Sequence, residues 1–334
     1  MTLPTTKLDL EIANSFSKRL GQKRSLPFDQ FINWALYDPK IGYYNKKKKR
    51  VGKSIRSDFY TSTSFGKLWS KLVIETCVKL IGRDEIAQYS FIEIAPEPES
   101  SLLDSIEHPF RSQKVFRLGE SIVLPPLCII YSNEWLDAQP FKRFSYSNEK
   151  NQWMEHGVTL QNLCLDEVIL ENNEHAFDFQ LPHDSIDTSD GYLVDWPIGA
   201  EKALRQLVVG SDWEGLFLTF DYGLSLNSIF HEYPSGTARS YKNHKVSNNL
   251  LQNPGEQDIT CSLCWDILKT ILKDAGFQKI KVESQESFLI KHCSETLKEI
   301  IEEKNSFEKN ALKELIHPLH MGHKFQALWG FRYS

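Results

Sequence analysis

The chain has 334 residues, of which 41% are hydrophobic and 25% charged, as is ordinary for a globular protein. This length allows one large α/β domain or two smaller ones. The formal net charge is −5, so we expect neither nucleic acid nor an anionic membrane as a partner. No apolar run reaches the ~18 residues that a spanning helix needs, and the six cysteines are scattered rather than arranged as a disulfide framework. We therefore expect a cytoplasmic protein without a signal or transit segment.

The N-terminal part of the chain is predicted to be helical. Apolar residues at helical spacing predict an amphipathic helix over residues 6–22 and a second over 28–36, which Asp38-Pro39 ends. A third helix is predicted over residues 65–81. The basic run at residues 46–50 is most simply a solvated loop. We assign residues 1–64 to a helical cap with its loop.

A sheet is predicted to begin after the third helix. Strands are expected over residues 91–95, 114–118 and 127–132, with a short helix over 99–106. Only eight residues, 119–126, join the last two strands, whereas a parallel crossover needs about a dozen or more. Either a helix and a strand have been lost here, or these two strands are not parallel neighbours.

The remaining chain alternates between polar and buried segments. Residues 144–190 are polar with short alternating pieces, which predicts an inserted β subdomain. The further predictions are strands at 192–195, 215–220, 278–283, 288–291 and 324–332, helices at 197–209, 264–275, 294–304 and 306–316, and a long loop at 224–256. The pattern is typical of an open α/β fold, with a core at residues 65–143 and 191–334.

The loop after the first predicted strand is unusual. In an open α/β fold a nucleotide-like cofactor sits there, usually against a glycine-rich turn. The sequence FIEIAPEPESS at residues 91–101 contains no glycine. Alanine or glutamate at a position that requires a positive φ costs about 1 kcal/mol or more.

Several runs of the sequence together resemble one family. They are, in chain order, LPFDQFINWALYDPKIGYY, SDFYTS, SNEWLDAQPF, FDYG, YPSGTARSYKNHKVSNNLLQNPGEQDIT, SQESFL and HPLHMGHKFQAL. They resemble the MidA-like S-adenosylmethionine (SAM)-dependent methyltransferases, whose eukaryotic members are mitochondrial complex I assembly factors that methylate a protein arginine. The resemblance implies a seven-stranded, Rossmann-like methyltransferase sheet with an N-terminal helical cap and a β insertion. It also implies SAM as cofactor and a protein as substrate or partner.

The resemblance assigns a set of residues to the cofactor side. Glu93 matches the acidic residue of the first strand, and Ala95, Glu97 and Glu99 stand at the glycine positions. Glu120 is the candidate for the ribose hydroxyls, with a solvated turn residue as the alternative. The complete cofactor set is Glu93, Ala95, Glu120, Asn133, Asp58 and Thr61. Either a reshaped loop still binds SAM, or the strand end has been remodelled and binds it no longer.

The acceptor side matches the family more closely. Glu134 and Asp137 follow an apolar strand, where carboxylates line a pocket and can hold a guanidinium by paired hydrogen bonds. The alternative is a helix start capped by Asn133. Asp221 ends another strand in FDYG, where a plain turn with Gly223 at positive φ is the alternative. The catalytic candidates are Glu134, Asp137 and Asp221, and the substrate or partner candidates are Tyr222, Gly236, Thr237, Arg239, Tyr241, His244, Glu256 and Asp258.

Metal binding is not expected. Cys261 and Cys264 form one CxxC pair, but a tetrahedral site needs four ligands and no second pair follows. Two functions therefore remain open. The protein is a SAM-dependent protein methyltransferase acting on arginine, or it is a non-catalytic relative that has lost the cofactor and acts as a binding or assembly protein.

Overall fold

The computed structural model describes residues 7–46, 61–98, 100–104, 106–171, 189–210, 212–303 and 306–333. Asp58, Glu99 and most of the basic run at 46–50 lie outside these described residues. The helices are α1 (Leu10–Leu20), α2 (Phe28–Tyr37), α3 (Lys67–Ile81), α4 (Ile198–Val208), α5 (Leu226–His231), α6 (Trp265–Asp274), α7 (Gln285–His292), α8 (Ser294–Glu302) and α9 (Ser306–Ile316).

The strands of the described residues belong to several sheets. They are β1 (Leu26–Pro27), β2 (Ser90–Ile94), β3 (Ser112–Phe116), β4 (Leu127–Asn133), β5 (Lys142–Ser147), β6 (Gln152–Gln161), β7 (Cys164–Ile169), β8 (Leu193–Trp196), β9 (Glu214–Asp221), β10 (Gly223–Leu224), β11 (Arg239–Lys242), β12 (Lys245–Ser247), β13 (Asp258–Thr260), β14 (Leu263–Cys264), β15 (Phe277–Ser284) and β16 (Gln326–Arg332). The chain therefore has a mixed α/β fold, as its sequence predicts.

The core sheet has the strand order β15-β16-β9-β4-β2-β3. Its centre is parallel, because β2 pairs with β3 and β4 and β4 pairs with β9 in the same direction. Strand β16 runs antiparallel between β9 and β15. Strands β2 and β9 are buried almost throughout because both faces of the sheet are covered.

Helices cover both faces of the core sheet. On one face α3, α7, α8 and α9 bury apolar side chains against alternate residues of the strands, such as Phe91 and Leu218. On the other face α4 and α6 pack against the intervening residues, such as Ile92 and Phe217. The sheet is thus the middle layer of three, and its strand ends remain open for a site.

A second sheet carries the N-terminal cap. Its strand order is β1-β6-β5-β8. Strand β5 pairs with residues 152–155 of β6, and β7 pairs with residues 156–161 of β6. Helices α1 and α2 bury Phe16, Phe31 and Trp34 in a separate cluster that includes Val158 of β6. Strand β8 lies in the range expected for the core, but it pairs with β5 in this second sheet.

The connection between β3 and β4 is short, and the structure shows that these two strands are not neighbours in the sheet. Both strands pair with β2, on opposite sides, so they are parallel without being neighbours. Residues 117–126 pass across a single intervening strand. In the described part of the chain the core sheet has six strands, so the seven implied by the resemblance are not present there.

Three local predictions were wrong. Residues 288–291 belong to helix α7, because Ser284 caps its start and Phe288, Leu289 and His292 share its buried side. No helix forms in the described residues between 100 and 106; the Leu102 backbone N–H is bonded to the Glu93 carboxylate instead. The predicted loop at 224–256 contains α5 and the β11–β12 hairpin.

Candidate active site

The site forms where β4 and β9 end side by side. Asn133 pairs with Phe220 across the two strands, and the Glu134 N–H donates to the Phe220 carbonyl at 2.8 Å. Glu134 has a φ of 49°, so the chain turns sharply as it leaves β4. No helix starts here, so the alternative of an Asn133-capped helix is wrong. The turn brings Glu134 and Asp137 to one place.

Asp221 lies behind the site rather than on its wall. It is fully buried, and its carboxylate accepts from the N–H groups of Leu136 (3.1 Å), Asp137 (3.3 Å) and Tyr222 (2.8 Å). These bonds fix the backbone that carries Asp137. Gly223 does not have a positive φ; a Cβ there would lie 2.6 Å from the Leu263 carbonyl oxygen, so close strand approach explains this glycine.

A small cavity of about 40 Å³ opens beside the two acids. The described residues that line it are Tyr44, Glu134, Asp137, Tyr222, Tyr241, Asp258, Lys324 and Phe325. They come from six separate parts of the chain, so the fold alone assembles the site.

The two acids on the wall have abnormal ionisation. Burial raises the pKa of Asp137 to about 6, although a hydrogen bond from the Tyr222 hydroxyl acts in the opposite direction. The pKa of Glu134 is raised well above its usual value by burial and then by the Asp137 charge, while Lys324 lowers it. Asp137 Oδ1 is buried and has no hydrogen-bond partner among the described residues. The site is therefore suited to a ligand that brings positive charge and N–H donors.

Tyrosines form the rest of the wall. The Tyr44 hydroxyl donates to Asp258 at 2.9 Å, and the Tyr222 hydroxyl is hydrogen-bonded to Thr260. Burial, followed by neighbouring acids, raises the pKa of Tyr44, Tyr222 and Tyr241. All three stay protonated at neutral pH, so the wall offers hydroxyl groups and aromatic faces to a cation.

The cofactor edge begins at the end of β2, next to β4. Ala95 has a φ of 51°, so the chain makes the left-handed turn that glycine favours although the residue is alanine. Its N–H donates to the Phe116 carbonyl at 2.8 Å. The Arg117 guanidinium donates to the Glu97 carbonyl at 2.7 Å and holds the following loop.

Glu93 organises this loop from within the sheet. Its carboxylate accepts the Leu102 N–H at 2.8 Å, and burial raises its pKa to about 7. Glu120 is exposed and accepts the Arg117 N–H at 2.8 Å, so it closes its own turn. Thr61 is buried and caps the turn Ser62–Phe65. Asp58 lies outside the described residues.

Asn133 tests whether this edge fits a cofactor with an amino group. Its Nδ2 donates to Glu134 at 2.9 Å, while its Oδ1 is buried without a partner in the described parts of the chain. An ammonium or amino group would satisfy that oxygen. The left-handed turn at Ala95 lies one strand away, so the residues present fit SAM at this edge.

The acceptor-side residues divide into two groups. Tyr222, Tyr241 and Asp258 line the cavity. The others lie elsewhere in the same block and stabilise it. Gly236 has a φ of 70° and leaves room for Asp195, and the Thr237 hydroxyl accepts the Ser262 N–H. The Arg239 guanidinium donates to backbone carbonyls, and His244 lies in the β11–β12 turn. Glu256 forms an ion pair with Lys242 at 2.7 Å.

Three residues of the cavity were not predicted. Tyr44 lies in IGYY, and Lys324 and Phe325 lie in HKFQAL, both among the runs that resemble the family. Neither run shows a local pattern that marks a pocket residue.

Elsewhere, no group of three His, Cys, Asp or Glu side chains in the described residues is arranged to hold a metal ion. Every described helix is too short or too polar to cross a bilayer.

The open sheet with its site at the carboxyl ends of parallel strands defines an α/β protein of the doubly wound class. A family model described as "Putative S-adenosyl-L-methionine-dependent methyltransferase" matches residues 83–282, more than half of the chain. The chain therefore belongs to this family of SAM-dependent methyltransferases, and the resemblance found in the sequence motifs is confirmed.

Individual relatives agree with the family. The chain is 23% identical over 302 residues to the protein arginine methyltransferase NDUFAF7 homolog, mitochondrial, of Caenorhabditis elegans, covering 73% of this chain and 68% of that one. It is similar in fold to a Burkholderia thailandensis protein whose crystal structure contains S-adenosyl-homocysteine, with a TM-score of 0.83, 19% identity and coverage of 99% and 95%. A native structure from Burkholderia thailandensis gives a TM-score of 0.78, 18% identity and the same coverage.

Proposed function

We propose that this protein methylates a protein arginine, with Glu134 and Asp137 holding the guanidinium group. The observation that carries the proposal is the pair of acids on the cavity wall, whose pKa values are raised and of which Asp137 has an unpartnered buried oxygen. A guanidinium supplies both the positive charge and the N–H donors that this arrangement lacks.

Glu134 and Asp137 would orient the guanidinium group, and Asp137 would accept a proton from it. Entry of a guanidinium favours the ionised carboxylates, which then accept its N–H groups and fix the plane of the cation. The nitrogen that receives the methyl group must lose one proton, and Asp137 is the acceptor whose pKa, about 6 in the empty pocket, is near neutrality. Asp221 supports this step by fixing the Asp137 backbone.

SAM, when bound, supplies the methyl group on a positively charged sulfur. The residues that would hold it lie at the adjoining edge: the Asn133 amide oxygen, the backbone turn at Ala95 and the turn that contains Glu120. The left-handed turn at Ala95 supports a reshaped loop that still binds SAM over a remodelled strand end that does not.

The name of the Caenorhabditis elegans relative supports arginine as the acceptor. A protein substrate is also in keeping with the acceptor block at residues 233–260, which contributes Tyr241 and Asp258 to the cavity wall. The cysteines of the described residues are free and mostly buried, which suits a reducing compartment, and we propose the cytoplasm.

Transfer of a tritiated methyl group from SAM tests this function. The protein is incubated with a cell extract prepared under methylation inhibition, and the labelled proteins are hydrolysed for amino-acid analysis. We expect label in methylarginine and a decrease of about 10- to 100-fold with Glu134→Gln, since a charge-assisted hydrogen bond contributes about 1.5–3 kcal/mol. The matched control is Glu302→Gln, a change at the exposed ion pair with Lys298 on α8. Label confined to another amino acid, or full activity of Glu134→Gln, would contradict the proposal.

A further inference from the structure

Strand β12 lies at the edge of a small sheet beside the acceptor cavity. The sheet has the strand order β12-β11-β13, so in the described part of the chain β12 pairs with β11 alone. The opposite edge strand, β13, is buried, whereas Lys245 and Val246 of β12 are exposed. Strand β12 therefore presents a free sheet edge to solvent.

The turn between β11 and β12 determines which backbone groups point outward. Asn243 and His244 form a two-residue loop with φ values of 51° and 59°, as a type I′ hairpin turn requires. Lys242 and Lys245 flank this turn and are hydrogen-bonded to each other, and bonded and non-bonded pairs alternate along antiparallel strands. The N–H and C=O of Val246 therefore point away from β11, and no described residue outside the sheet bonds to them.

A row of side chains joins this edge to the cavity. Val246 lies directly opposite Tyr241 of β11, and Tyr241 lies opposite Asp258 of β13. Residues that lie opposite each other in a sheet place their side chains on the same face. Tyr241 and Asp258 line the cavity, and Val246 is 60% exposed. A strand added beside β12 would extend the row by one residue, at about 10 Å from Tyr241, which is two strand spacings.

We propose that the protein substrate docks as an extended segment on the free edge of β12, with its target arginine next to Val246 in this row. The inference rests on the proposed function. The Val246 N–H and C=O pair with the backbone of the segment, as in other cases of recognition by strand addition. The arginine then lies on the face that carries Tyr241 and Asp258, and its long side chain extends across Val246 toward the cavity. Main-chain bonds thus select an extended segment.

Val246→Pro tests this edge from the side of the enzyme. Proline has no N–H and its ring obstructs an added strand, but the change removes no bond to β11 because the Val246 N–H points outward. The matched control is Val246→Thr, which keeps the N–H and the β-branched shape. Unfolding midpoints establish that both variants are folded, and we expect both to bind S-adenosyl-homocysteine as the wild type does.

The probe is a synthetic peptide that spans the arginine labelled in the cell extract, located by mass spectrometry. For Val246→Pro we expect the KM for this peptide to rise about 10-fold, the order of effect of losing a pair of backbone hydrogen bonds. The value of kcat should remain almost unchanged, because the acids of the cavity are not altered. Val246→Thr should have the KM of the wild type.

Two modified peptides test the same pairing with the wild-type enzyme and do not depend on the folding of a variant. One carries an N-methyl group on the backbone nitrogen of the target arginine, and the other carries it on the next residue. Successive N–H groups of an extended strand point to opposite sides, so only one of the two faces β12. We expect one modified peptide to have a KM about 10-fold above that of the other.

Three results would overturn docking on β12 while leaving the proposed function standing. They are an unchanged KM for folded Val246→Pro, an equal rise of KM for Val246→Thr, and equal KM values for the two modified peptides. Absence of labelled arginine with the wild-type enzyme would instead overturn the proposed function, and this inference with it. The labelling step therefore separates the two failures before any variant is compared.

Discussion

Replacement of Asp137 by asparagine should stabilise the fold at neutral pH. Asp137 is 3% exposed, and burial raises its pKa from 3.8 to about 6. A raised pKa of an acid means that the folded state disfavours its charge. Stability is therefore highest below the unfolded pKa near 4, where both states are protonated, and it decreases as the pH rises from about 4 to about 6.

The magnitude follows from the size of this shift. About 2 pKa units at 1.36 kcal/mol each correspond to about 3 kcal/mol of unfavourable ionisation at pH 7. Asparagine is almost the same size and can still accept the hydrogen bond from Tyr222. Its amide group adds donors that lack an obvious acceptor, which costs about 1 kcal/mol. The net gain for Asp137→Asn is about 2 kcal/mol at pH 7.5 and close to zero at pH 4.

Urea unfolding at pH 7.5 and pH 4 measures this difference directly. Asp84→Asn, a change of an exposed aspartate near the end of α3, is the matched control and should have little effect at either pH. Equal or lower stability of Asp137→Asn at pH 7.5, or the same gain at both pH values, would refute the reasoning. Asp137→Asn should at the same time lose methyl transfer, because the carboxylate charge that destabilises the fold is the one proposed to bind the substrate.

Two further predictions concern the backbone. Ala95→Gly should stabilise the protein by up to about 1 kcal/mol. An L-residue in the left-handed region costs about 1–2 kcal/mol, and the greater freedom of glycine in the unfolded chain offsets about 0.4–1 kcal/mol of the gain. A lower free energy of unfolding for this variant would contradict the φ of 51° at Ala95. Gly215→Ala should destabilise by more than about 3 kcal/mol, because its φ is 130° and the new Cβ would lie 2.0 Å from the Cys128 carbonyl oxygen. Thermal unfolding of Gly215→Ala decides this, and a wild-type midpoint would be the contrary result.

The elements that the sequence predicts well are those with strong apolar patterns. The buried run of β9 and the helical spacing in α6 lead directly to their structures, because burial on a sheet needs such patterns. The short apolar run at residues 288–291 suits a strand or a helix equally. Only the Ser284 cap and the exposure of Ile290, at 52%, show that it is helical.

The order of strands depends on pairing that no local pattern reveals. The short link between β3 and β4 excluded one arrangement of parallel neighbours. The position of β2 between them came from the structure. Strand β8 has the composition of a core strand, yet it pairs with β5, because the second sheet also buries both its faces in part.

Only part of the candidate site could be predicted, because its residues come from distant segments of the sequence. Glu134 and Asp137 follow a strongly apolar strand, so their place at the sheet edge could be inferred from the sequence. Tyr44 and Lys324 lie about 90 and 190 residues away along the chain, and only the fold brings them to the cavity. The absence of glycine at residue 95 suggested strain, and only the structure shows that alanine adopts the left-handed turn there.

The central claim is that this chain still binds the SAM cofactor with a loop that lacks glycine. Calorimetric titration with S-adenosyl-homocysteine tests it most directly, because the ligand requires no protein substrate. The account predicts saturable binding to one site, a thermal midpoint that rises with ligand concentration, and weaker binding by Asn133→Leu. No heat and no shift of the midpoint at millimolar ligand, with folded protein, would contradict it.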